Sequence, residues 1–108
     1  MSTVRKSKVL LIGTSASTGD WYQLDYRFDV NTQRTLFGTV TSGDTIYIEA
    51  TPQPIYNIDG TAASVSVIVT IGTQTTAGSF NVLLEGPFAG IRARKTGTAG
   101  TCIVQGVL

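Results

Sequence analysis

The sequence predicts an all-β domain, an antiparallel β-sandwich or jelly-roll of about eight strands. Three observations carry that expectation. Apolar and polar residues alternate with period two in several segments. Turn residues interrupt those segments at a spacing of roughly ten residues, as in sandwich folds. No segment shows helical periodicity, and 17 Thr, 8 Ser and 12 Gly supply a third of the 108 residues. Threonine suits a pleated surface and glycine suits turns, while both weaken a helix.

Each element has its own reason. Residues 8–13 are a short apolar run behind a basic arm, so residues 1–8 are expected as an arm and 9–108 as one domain. Residues 21–29 alternate, with Tyr22, Leu24, Tyr26 and Phe28 on one face and Trp21, Gln23, Asp25, Arg27 and Asp29 on the other. Residues 34–40 are rich in strand formers and broken by Gly38, which suggests a bulge or bend. In 44–51, Ile46 and Ile48 oppose Tyr47 and Glu49. In 63–71, Val65, Val67, Val69 and Ile71 alternate with Ser64, Ser66, Ile68 and Thr70. Residues 79–85, 90–95 and 101–108 complete the set. Turn chemistry separates them at Thr18-Gly19-Asp20, Ser42-Gly43-Asp44, Asp59-Gly60, Ala77-Gly78, Gly86-Pro87 and Gly97-Thr98-Ala99-Gly100. Pro52 and Pro54 end a strand and exclude a central-sheet position there.

Composition narrows the chemistry. Charged residues are 14% of the chain, against about 25% in an average soluble protein. Eight Lys+Arg against seven Asp+Glu leave a net charge of +1, which provides no general argument for nucleic acid. Without histidine, His-dependent triads and most structural zinc patterns are excluded. Cys102 cannot pair within the chain, and its strand-like setting reads as a small buried apolar residue. Arg5, Lys6 and Lys8 followed by Val9-Leu10-Leu11-Ile12 imitate a secretion signal. The apolar run falls short of the about 7–15 residues such a signal needs, and no run approaches the about 20 of a membrane span. The chain is therefore expected to be a soluble, unprocessed protein with no membrane partner.

No catalytic pattern is found. Gly13-Thr14-Ser15-Ala16-Ser17 lacks the closing glycine of a nucleophile elbow. Gly97-Thr98-Ala99-Gly100 leads into a strand and lacks the ending of a phosphate loop. Asp20, Asp44 and Asp59 sit singly in turns, where aspartate is expected for turn geometry, and Asp25 and Asp29 flank Arg27 as a solvated charge row. The expectation is a protein that is not an enzyme, with no cofactor and no metal.

Binding surfaces carry more signal. Six of the eight cations fall in two segments, Arg5, Lys6 and Lys8 at the start and Arg92, Arg94 and Lys95 near the end. Arg92 and Arg94 have the same parity and so share a strand face. Arginine engages carboxylates in a fork, so these segments suit an acidic protein surface. No aromatic is interleaved with the cations to stack on bases, so nucleic acid is not expected. Trp21 is read either as an exposed interface anchor or as a cap on the core. Tyr22, Tyr47 and Tyr56 join it as candidate interface residues.

Gly86-Pro87-Phe88-Ala89-Gly90-Ile91-Arg92-Ala93, followed by Gly97-Thr98-Ala99-Gly100-Thr101, resembles a pattern of small all-β virion proteins of tailed phages. Those proteins often end with such a run, a G-T-x-G-T turn and a last apolar strand. Residues 43–51 occupy the place of their G-T-V-T-L-E-G-S strand, and the resemblance covers roughly residues 38–108. The chain departs from it at 51–56, where relatives often carry S-x-D-G-T-x-W. The resemblance implies a structural virion protein, foremost a capsid decoration (cement) protein that binds the major capsid protein. It would be made in the host cytoplasm and assembled on the particle as a homo-oligomer, trimer or dimer. A tail, fibre or adaptor subunit is the nearest alternative. A carbohydrate-binding sandwich stacking sugars on Trp21, Tyr22, Tyr47 or Tyr56 is the alternative from another class.

Overall fold

A computed structural model describes residues 7–24, 34–41, 43–85 and 88–107. The described residues form nine strands and no helix: β1 (Ser7–Gly13), β2 (Ser17–Thr18), β3 (Tyr22–Gln23), β4 (Arg34–Val40), β5 (Thr45–Thr51), β6 (Val69–Gln74), β7 (Gly78–Leu84), β8 (Gly90–Thr96) and β9 (Cys102–Val107). Two antiparallel sheets face each other. One has the order β1-β9-β4-β7; the other has the order β2-β8-β5-β6, with β3 also on β8.

The pairing follows a single rule. β2 and β3 both pair with β8, so they are two pieces of one strand position. With those pieces counted together, the first strand pairs with the last and the second with the next to last. β4 then pairs with β7 and β5 with β6. This is a chain doubled back once into nested antiparallel pairs, then rolled so that successive pairs alternate between the sheets. That topology is the jelly-roll.

The core comes from one face of each sheet. Leu36, Val40, Cys102 and Val104 project from the first sheet, joined by Leu10 and Leu11 of β1. Ile46, Ile48, Ala50, Ile91 and Ala93 project from the second. Leu36, Ile46, Ala50, Ile91, Ala93 and Val104 are fully buried. Burial pushes the Cys102 thiol up from its ordinary value, as expected of a small apolar core residue rather than a reactive nucleophile.

Two strand expectations change. Gly38 makes no bulge, because β4 pairs without a register shift on both sides. The glycine is there for close approach: a Cβ would lie 2.2 Å from the Ile103 carbonyl oxygen. The strand expected over 63–71 begins only at Val69, and Val67, Ile68 and Val69 are 48%, 40% and 42% exposed. The cause is local. The side-chain oxygen of Gln53 accepts the amide protons of Ser66 and Val67 at 2.7 and 2.6 Å. Those amides are thus satisfied by a side chain instead of a neighbouring strand. Of the strand expected over 21–29, Tyr22–Gln23 is seen, and residues 25–33 lie outside the described residues. The alternation does hold at its start, since Leu24 is buried and Tyr22 packs on the core.

Candidate functional site: an arginine–aromatic ladder on the second sheet

β5 and β8 are the central strands of the second sheet and pair over seven consecutive residues. Their inner residues are the apolar ones above. Their outer residues stand side by side, with Tyr47 opposite Arg94 and Glu49 opposite Arg92. Side chains directly across an antiparallel pair lie about 5 Å apart, within reach of one another.

Glu49 holds the centre. Its Oε1 accepts a hydrogen bond from Arg92 Nε at 2.8 Å, and its Oε2 accepts two from Arg94, from Nε and Nη2, both at 3.3 Å. The Glu49 side chain is only 7% exposed, against 19% for Arg92 and 33% for Arg94. Each arginine is also stacked. The Arg92 guanidinium lies 4.3 Å from the centroid of the Trp21 ring, and that of Arg94 lies 4.1 Å from the Tyr47 ring. The contacts therefore run Trp21, Arg92, Glu49, Arg94, Tyr47, zigzagging between the two arginines of β8 and Glu49 and Tyr47 of β5. Cation–π stacking contributes about 0.5–2 kcal/mol per pair, depending on desolvation. More important for recognition, both guanidiniums are held in place before any partner arrives. The cluster keeps one excess positive charge.

The ladder rests on a buttress at one end. A Cβ on Gly90 would meet Ile55 Cγ2 at 2.6 Å and Trp21 Cε3 at 3.5 Å. Trp21 and the buried Ile55 therefore share the space above the start of β8. Trp21 is half-buried in this setting and Tyr47 likewise.

The other candidate residues part company here. Lys95 is adjacent to Arg94 in sequence but has the opposite parity and points inward. Its side chain is 0% exposed. The ammonium group donates to Thr14 O at 2.9 Å and to Gly97 O at 2.6 Å, and it pairs with Asp44 Oδ2 at 2.9 Å. Three acceptors meet its three protons, so Lys95 is a structural residue and leaves the surface group. Tyr22 opposes the buried Ile91 and packs on the core, so it too leaves the outer face. Tyr56 lies in the connection between β5 and β6, bridged to Ala62 and 47% exposed, off the strands that carry the ladder. Lys8 belongs to β1, opposite Gly106, and is exposed. Arg5 and Lys6 lie outside the described residues.

Asp44 also ties down the turn between β8 and β9. Its Oδ2 accepts the Gly100 amide proton at 2.8 Å, and Gly97 takes a positive φ of 89° with no room for a Cβ beside the carboxylate. The Lys95 ammonium, followed by the Gly100 amide, holds the Asp44 carboxyl below its ordinary 3.8. A depressed folded-state value means that the unfolded chain binds the proton more readily. This contribution to stability is present above about 3.8 and is lost as pH falls through the folded value. Asp44→Asn should therefore flatten the acid limb of a stability–pH curve measured by urea unfolding. An acid limb as steep in the variant as in the parent would reject the assignment.

Glu49 was not singled out by its sequence, although a lone acid at the parity of Tyr47 in an apolar strand signals a facing cation. Among the described residues, no group of three or more Cys, Asp or Glu side chains converges as a metal site. No helix there is long and apolar enough to cross a membrane.

No protein-family model, curated protein or solved structure matches the chain.

Proposed function

We propose that this protein is a structural subunit of a tailed-phage virion, a capsid decoration protein that seats on the shell through the outer face of its second sheet. The observation that carries this reading is the preordered row Trp21, Arg92, Glu49, Arg94, Tyr47. Tryptophan, tyrosine and arginine are the residues that dominate protein interfaces, and two fixed guanidiniums suit carboxylates on a partner. The residues that resemble phage virion proteins support it from another side. Two of the resembling segments supply neighbouring strands, with Thr45–Thr51 of β5 paired to β8, which takes in Gly90–Ala93, and the arginine of one bonds the glutamate of the other. Jelly-rolls serve in both capsids and lectins, so the fold does not choose between the shell and the carbohydrate reading. The ladder favours the shell, because each of its rings has a guanidinium against one face.

The test has two parts. Particles made from the genome that encodes the chain are purified and their proteins quantified. A copy number matching the shell subunits is expected; a few copies per particle would move the protein to the tail, and its absence would reject the virion reading. Shells lacking the protein are then titrated with the chain and with Arg92→Glu/Arg94→Glu. The variant should bind at least about tenfold more weakly, a loss of about 1.4 kcal/mol. Equal binding would remove the ladder from the interface.

A further inference from the structure

The four sheet edges are not alike. On one side of the sandwich lie β1 and the two-residue strands β2 and β3. That side is guarded: β1 carries an exposed Lys8 and a register shift between Val9 and Leu11, and β2 and β3 are too short to template a neighbour. Charges, irregularities and short length are the usual protections of an exposed strand edge.

On the other side lie β6 and β7, the outermost strands of the second and first sheets among the described residues; β6 has a register shift against β5, and β7 has none against β4. They meet there, since a Cβ on Gly72 would press on Val82 Cγ2. Residues 60–84, which supply both strands and the segment before them, contain no charged residue and no proline. β7 pairs with β4 over seven residues without irregularity, so it is a straight template. Leu83 is 56% exposed on it, and Val67, Ile68 and Val69 lie exposed at the start of β6. β6 runs antiparallel to β7, with Gly72 against Val82, so Val69 and Leu83 lie toward the same end of this edge.

We infer that the β6–β7 edge is an interface between two copies of this chain, formed by antiparallel pairing of β7 with its own copy. The charge pattern selects a second copy as the occupant. In a two-fold pair residue i of one copy meets residue j of the other and j meets i, so a second copy brings the same uncharged edge and no charge is buried in any register. Size fixes the strength. Seven residues span roughly 24 Å, and the molecule is 19 Å across its thinnest axis. An edge of about those dimensions, with Val67, Ile68 and Val69, would cover on the order of 1,000 Å2 in total, at the low end for specific association. An area of this size suits a weak, reversible association. The inference stands apart from the proposed seat on a shell, which uses the outer face of β5 and β8 and not the β6–β7 edge.

Sedimentation equilibrium of the full chain between about 1 and about 500 μM should show a monomer–dimer equilibrium. Asn81→Lys/Leu83→Lys places like charges across the axis on exposed positions and should weaken the dimer at least tenfold. Amide exchange of the unmodified chain should slow with concentration within 69–84 alone. A monomer throughout the range, or a doubly substituted chain that dimerises as well as the parent, would overturn the inference. Should the variant fail to fold, concentration-independent exchange over 69–84 overturns it equally.

Discussion

Lys95→Met should destabilise the fold by about 3 kcal/mol, although methionine matches the length and volume of the lysine stem. The stem would still pack, so the loss isolates the head group. Three acceptors lose their donor together: Thr14 O, Gly97 O and the Asp44 carboxylate. They belong to three separate places, the end of β1, the turn after β8 and the turn before β5, so one ammonium group closes that end of the sandwich. A domain of this size loses roughly 4–8 °C of Tm per kcal/mol, so a drop of more than about 10 °C is expected in thermal unfolding. Lys95→Arg should fail as well, because a planar fork cannot present its protons to the same three acceptors. The double variant Lys95→Met/Asp44→Asn should recover part of the loss, since it removes the carboxylate left unpaired. A Lys95→Met chain within 1 kcal/mol of the parent would show that the ammonium group is dispensable there.

Lys95 also shows where the sequence was legible and where it was not. The basic segment 92–95 reads as one patch when residues are grouped by proximity along the chain. Strand parity divides it: Arg92 and Arg94 go outward, and Lys95 goes inward with Ile91 and Ala93. Alternation was a sound guide for β4, β5 and β8, because their two faces meet different environments. It failed over 63–68, where a polar side chain, Gln53, had captured the backbone. No periodicity in 63–71 could reveal an acceptor supplied from residue 53. The ladder was half visible. Arg92, Arg94, Trp21 and Tyr47 stand out by residue type, while Glu49, which joins the two arginines, becomes significant only once β5 lies beside β8. The turn glycines were legible as turns, but Gly97 is there to let the Asp44 carboxylate approach the backbone, a requirement set by a residue far away in sequence.

Gly38→Ala should cost about 3 kcal/mol or more, with the loss read in urea unfolding. A single methyl group on a strand is ordinarily cheap, and alanine even removes some unfolded-state freedom that glycine carries. Here the new Cβ would lie 2.2 Å from the Ile103 carbonyl oxygen, 3.1 Å from Val104 Cα and 3.0 Å from Phe80 Cζ. Two of those atoms are backbone of β9, the strand that links β4 to β1. No rotamer change can relieve them, so β4 and β9 must part or slide, and the first sheet is built on that pair. Gly90→Ala is the informative contrast. Its Cβ would be 2.6 Å from Ile55 Cγ2 and 3.3 Å from Thr51 Cγ2, both side-chain atoms. Ile55 comes from the connection after β5, and although it is buried its side chain can turn where a strand backbone cannot. The expected order of loss is therefore Gly38→Ala well above Gly90→Ala, despite the apparent crowding at both. Equal losses would mean that the sheet yields as readily as a side chain, and that close packing between β4 and β9 is not what Gly38 provides.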